Sequence, residues 1–155
     1  MGKGFDRVLG ALAWPLAAFN AYIFIYYLQF KFTGHPGSTE LFITLTDWLG
    51  LHGHEKFMRI GTGSMELVAA ILLFIPAAQV VGAALSLAIM SGAIFFHLAS
   101  PLGIDPYGDG GVLFKQACTV WLSSLLILAI RRRRAVVLVE RYLPFLPIPA
   151  RLRAG

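Results

Sequence analysis

Four apolar runs, each close to 20 residues, dominate the chain and leave it few folds to choose from. They are residues 11–30 (ALAWPLAAFNAYIFIYYLQF), 57–75, 80–99 (VVGAALSLAIMSGAIFFHLA) and 112–130 (VLFKQACTVWLSSLLILAI). About 20 apolar residues in a helix cross the hydrocarbon of a bilayer. No water is available there to satisfy the backbone, so each run has to be helical. Charged residues are only 14% of the 155, and the mean hydropathy of +0.72 lies far from that of a soluble domain. The expected fold is an all-α membrane protein. It is a four-transmembrane-helix bundle over residues 1–130, followed by a basic cytoplasmic and interfacial tail over 131–155. The first run lacks the short apolar core and A-x-A site of a cleaved leader, so it reads as the first span. Pro15 is expected in its first turns, where a missing N–H is tolerated.

Charge sets the orientation. Lys3 and Arg7 precede the first span, and RRRR (Arg131 to Arg134) follows the fourth. Basic flanks stay in the cytoplasm, so both termini are expected there, with residues 33–56 and 100–111 facing outward. The first outer loop reads GSTELFITLTDWLGL. Ser38 as N-cap, Glu40 in the first turn and apolar Leu41, Leu45, Trp48 and Leu49 predict a short interfacial helix lying on the outer surface. In the tail, Arg141, Arg151 and Arg153 are expected at anionic lipid, with Pro144, Pro147 and Pro149 interrupting any long helix. The net charge of +5 comes mostly from this end and points to membrane lipids as partners. No basic and aromatic residues interleave as nucleic-acid binding would require. With Cys118 the single cysteine, no intrachain disulfide or CxxC redox pair can form.

Ionisable residues inside the spans carry the functional reading. Glu66 lies nine residues below the outer end of the second span, or about 14 Å deep. A carboxylate facing acyl chains there is costly, so Glu66 is expected to face the bundle and find a partner or keep its proton. Arg59, seven positions earlier, shares its face. Asn20, Phe24, Tyr27 and Lys31 fall in one sector of the first span. Gly82, Ser86, Ala93, His97 and Ser100 share a side of the third, and Lys115 and Thr119 pair on the fourth. These positions predict a polar chamber in the outer half of the bundle. Lys31, Arg59, His97 and Lys115 form its upper ring, Glu66 and Asn20 its floor, and Phe24, Tyr27 and Phe96 its wall. Gly61, Gly63, Gly82, Ala88 and Gly92 would let the helices approach. Glu66 and His97 are the candidate catalytic groups; Lys31, Arg59, Asn20, Tyr27 and Lys115 are candidate ligand contacts. Plainer roles compete. Lysine and arginine snorkel to interfaces, a histidine can simply pack, and Glu66 can form an ion pair with Lys31 or Lys115. LHGHEK sets His52, His54 and Glu55 together, with His35 earlier in the loop. Spacing of two suits Cu²⁺ or Zn²⁺ but also arises by chance, and no metal site is assigned from it.

Four blocks together resemble the DoxX-like family of small bacterial membrane proteins. They are FKFTG (Phe30 to Gly34), RIGTGSMELVAAILLFIP (Arg59 to Pro76), SGAIFFHL (Ser91 to Leu98) and GDGGVLF (Gly108 to Phe114), and the likeness covers roughly residues 8–130. The resemblance implies a four-helix bundle in the bacterial cytoplasmic (inner) membrane. It sets Asp109 beside Lys31, Glu66 and His97 as polar positions of the family. The name-giving members are associated with a thiosulfate:quinone oxidoreductase, and other relatives with redox or oxidative-stress assemblies. The resemblance therefore implies a quinone as ligand or cofactor and a redox partner subunit or homo-oligomer. His97 and Lys31 would hydrogen-bond a quinone carbonyl while Glu66 exchanges the proton. A small-solute or proton-coupled carrier using Glu66, and a non-catalytic scaffold subunit, remain the alternatives.

Overall fold

The computed structural model describes residues 3–142. It is all helix among the described residues, with α1 at Lys3–Thr33, α2 at Pro36–Trp48, α3 at Glu55–Phe74, α4 at Gln79–Ala99, α5 at Val112–Ile130 and α6 at Arg132–Tyr142. Four of these are long and apolar enough to cross a membrane: the Gly10–Thr33 part of α1, and α3, α4 and α5. Pro15 lies well inside α1, because the helix starts at Lys3. The four long helices form a ring in the order α1, α3, α4, α5, with the α1–α5 seam the lightest. One end, the loop end, carries α2 and the α4–α5 loop. The other, the hairpin end, carries the α3–α4 turn and the start of α6.

Apolar side chains cover the outside as well as the inside. Tyr22, Ile25, Ile71, Phe95, Leu122 and Leu126 are all more than half exposed. So broad an apolar exterior is unfavourable in water and suits acyl chains. Inside, the packing is tight because the contacts are small. Ala17 and Ala83 are fully buried with Leu73 and Ile127 near the hairpin end. Ala21, Phe24, Ala69, Ala70, Met90, Ala117 and Val120 fill the middle. Two glycines hold helices together. A Cβ at Gly82 would sit 2.7 Å from the Leu73 backbone nitrogen, and one at Gly63 would meet Phe32 Cε1 at 3.1 Å. At Gly61 and Gly92 an added Cβ meets nothing within 4 Å, so these two do not serve the close approach the sequence suggested.

The hairpin end is clamped by polar groups. Gln79, fully buried, donates to the Leu73 carbonyl at 3.1 Å and accepts from Arg131 Nε at 2.8 Å. Arg134 donates to the Pro76 carbonyl at 2.8 Å. Two of the four tandem arginines thus satisfy α3–α4 hairpin groups that have no helical partner.

Helix α2 forms in the first loop, but its cap differs from the expectation. His35 is the N-cap, accepting from the Gly37 N–H, and Pro36 opens the helix where its missing N–H costs nothing. Ser38 is buried within α2 instead. Phe42 and Leu45 pack with Leu102, Leu41, Met58 and Phe96, so α2 roofs the bundle. Trp48 and Leu49 are exposed, and Trp48 leans on the rings of Phe95 and Phe96. Of the tail, α6 reaches Tyr142; Pro144, Pro147, Pro149, Arg151 and Arg153 lie outside the described residues.

Candidate functional site

A cavity of about 550 Å³ occupies the loop-end half of the bundle, beneath α2. Its walls are mostly apolar, from Ile23 and Phe24 on α1 to Ile89, Met90 and Ala93 on α4 and Leu113 and Ala117 on α5. Its polar groups come from Lys31, Glu66, His97, Tyr26, Tyr27, Gln116, Thr62, His35, Ser38, Tyr107 and Asp109.

In its lining Lys31 Nζ donates to both oxygens of Glu66, at 2.7 Å and 3.0 Å. The side chains are only 13% and 5% exposed. A buried pair of this kind offsets its desolvation only when the geometry is good and further bonds complete it. Here both carboxylate oxygens are engaged, and the ammonium also lies 5.7 Å from the centre of the Tyr27 ring. An ammonium has three N–H groups, so one donor remains beyond the two that Glu66 takes.

Arg59 supports the pair from outside the cavity. It donates through Nε to Glu55 and through Nη1 to the Lys31 carbonyl. It thereby caps the C-terminal end of α1 and fixes the backbone from which Lys31 extends. Gly34, at φ 71°, ends α1 directly against the guanidinium, as an added Cβ would lie 3.6 Å from its nitrogens.

His97 is buried near the end of α4, with Nδ1 2.6 Å from the Gly103 carbonyl. A carbonyl only accepts, so Nδ1 carries the hydrogen, and in the neutral ring Nε2 is left as an acceptor. Tyr27 donates to Gln116 Oε1 and ties α1 to α5, leaving the Gln116 amide as a donor.

The α4–α5 loop closes the site. Asp105 accepts the N–H groups of Asp109 at 2.9 Å and Gly110 at 3.2 Å. Desolvation is the largest single influence and pushes its pKa up, but the hydrogen bonds from Gly111, Gly110 and Asp109 together outweigh it and hold the carboxyl below the usual Asp range. Asp109 accepts the Val112 N–H at 3.0 Å and so caps α5. Tyr107 donates to the Gly37 carbonyl at 3.0 Å, tying the loop to α2. Burial first, then the charges of Asp109 and Glu40, push the Tyr107 phenol up.

Of the residues expected to build the chamber, Lys31, Glu66, His97, Phe24, Tyr27 and Phe96 line one cavity, as does Asp109, the position the family resemblance added. The other three do not. Lys115 is exposed, on the outside of α5. Asn20 is fully buried in a deeper layer, where it donates to Ser124 Oγ at 3.0 Å and its Oδ1 has no partner among the described residues. Arg59 stands behind Lys31 as described. Gln116, Thr62 and Tyr107 are cavity groups that the sequence reading missed. Gln116 is a polar residue inside an apolar span, and that was the available signal. His52 bonds Asp47 at 2.8 Å and His54 the His52 carbonyl at 3.0 Å. Among the described residues no three His, Cys, Asp or Glu side chains are grouped as a metal would need.

A half-enclosed, largely apolar cavity with a few donors and acceptors among its lining, the Lys31–Glu66 pair foremost, is suited to a small amphipathic molecule. Comparison with protein-family models, curated proteins and solved structures returned no match.

Proposed function

We propose that the cavity binds a quinone or a similar small amphipathic molecule, and that the protein acts as a redox-associated subunit in the bacterial cytoplasmic membrane. The observation that carries this reading is the joining of the Lys31–Glu66 pair and His97 to apolar walls in one cavity within the spans. The free Lys31 N–H is a donor for a quinone carbonyl, and Glu66 and His97 are groups through which a proton passes. Electrons come from a partner subunit or from the bound quinone, since a single cysteine leaves the chain no thiol pair of its own. The resemblance to DoxX-like proteins points the same way. Both termini face the cytoplasm in this reading, with Arg131 and its neighbours at the inner surface and α2 on the outer one. The loops at the other end, residues 34–54 and 100–111, hold no lysine or arginine, which agrees with that orientation.

The test is ligand-induced stabilisation in nanodiscs. A quinone at a hundred times its Kd should stabilise the protein by about 2.7 kcal/mol. His97→Ala and Glu66→Gln should each reduce the effect while the protein still folds. Absence of any stabilisation by benzoquinones or naphthoquinones would remove the reading. Solute flux in proteoliposomes, abolished by Glu66→Gln, would replace it with a carrier.

A further inference from the structure

The seam between α3 and α4 is closed at its two ends and open between them. At the hairpin end the backbones touch: a Cβ at Gly82 would fall 2.7 Å from Leu73 N and 2.9 Å from Leu72 C. At the loop end Met58 and Phe96 both pack against the cluster under α2. Between them, Thr62 and Met65 of α3 and Ala88 and Gly92 of α4 line the cavity. Met65 is 48% exposed and Ala88 is also exposed, and both line the half-enclosed cavity. A Cβ at Gly92 meets nothing within 4 Å, so no neighbouring side chain fills this stretch. Met65 is ten residues from the start of α3, and Ala88 nine from the start of α4. At 1.5 Å per residue both stand about 14–15 Å along helices of about 30 Å, which is the middle of a bilayer.

We infer that this stretch is a lateral window through which the apolar tail of the bound molecule passes into the acyl chains. The inference rests on the proposed amphipathic ligand and narrows its class to a polar ring carrying a long alkyl or prenyl chain. The head stays at Lys31, Glu66 and His97. The tail leaves between Met65 and Ala88, where only apolar or small groups stand. A solute without a tail would have no use for an opening at this depth, because the surroundings there are hydrocarbon.

The experiment uses the full chain in nanodiscs and two probes with one ring, a dimethoxy-methyl-benzoquinone without a chain and the same ring with a decyl chain. The comparison is between wild type and Ala88→Trp, so partition of each probe into the lipid cancels. Ala88→Trp should weaken the decyl probe by about tenfold or more, the scale set by a blocked apolar subsite. The chainless probe should bind it as it binds wild type, and lipid-facing Val81→Trp should alter neither. Equal effects of Ala88→Trp on both probes, or none on either, overturn the window. If Ala88→Trp does not fold, Ala88→Leu takes its place. A second readout needs no quinone and separates failure of the ligand from failure of the window. A nitroxide on Ala93→Cys in a Cys118→Ser background should collide more with lipid-soluble oxygen than with an aqueous nickel chelate. Ala88→Trp should lower the oxygen collisions. Collisions dominated by the chelate and indifferent to Ala88→Trp overturn the window whether or not any quinone binds.

Discussion

Lys31 and Glu66 stand 35 positions apart in the chain, and the ammonium of one reaches both carboxylate oxygens of the other across the α1–α3 seam. Removing one partner leaves the other charge buried without its counter-ion. Glu66→Gln should therefore destabilise the protein by about 3–5 kcal/mol. The double variant Lys31→Met/Glu66→Leu should recover most of that loss, because neither charge remains to be compensated. Unfolding of Lys31→Met, Glu66→Leu and the double variant in mixed micelles measures the cycle. Costs that simply add would show that the two groups are not coupled.

The two α4 glycines should answer differently to the same change. Gly82→Ala drives a methyl into the Leu72 and Leu73 backbone, which cannot swing aside as a side chain does. A loss of about 1–3 kcal/mol is expected. Gly92→Ala meets open space and should be neutral or stabilising by up to about 1 kcal/mol through helix propensity. Thermal unfolding of the pair in one detergent decides it, and a Gly82→Ala protein as stable as wild type would deny the close approach.

The tandem arginines should not be equivalent. Arg131→Ala strips the acceptor of fully buried Gln79 of its donor and should cost about 1–3 kcal/mol. Arg132→Ala and Arg133→Ala, both at exposed positions, should stay within about 0.5 kcal/mol. Denaturant midpoints of the three single variants test the ranking. Equal midpoints would return the whole run to a uniform surface role.

Asp105 predicts an acid sensitivity of the loop that roofs the cavity. Its folded pKa lies below its unfolded one, so its contribution is full above the ordinary Asp value of about 3.9. That contribution is lost as pH falls through the lower folded value. Stability of wild type should thus decline on acidification below about pH 4, and Asp105→Asn should show a shallower decline. Thermal scans of both proteins across that window make the comparison, and parallel curves would refute it.

Much of the helical framework was legible because hydropathy alone decides what enters a bilayer. The expected spans 57–75, 80–99 and 112–130 differ from α3, α4 and α5 by at most two residues at an end. Helical spacing also placed Lys31, Glu66 and His97 on inward faces. It failed where depth and neighbours matter more than spacing. Lys115 sits at the same depth as the others, yet its side of α5 faces away from the ring. Asn20 shares a sector with Lys31 but lies eleven residues deeper, and Ser124 meets it there. Arg59 was too far from Glu66 for direct contact, and the carbonyl that links them belongs to Lys31, a main-chain group no side-chain pattern reveals. The Gln79–Arg131 bond joins groups 52 positions apart, and only the folded hairpin brings them together.

The pairing of Lys31 with Glu66 also has an electrical consequence. A transmembrane voltage does work only on charge that is displaced through the field, at about 2.3 kcal/mol per elementary charge per 100 mV. An ammonium and a carboxylate that move as one body carry no net charge, so a resting potential leaves their position in the helix ring undisturbed.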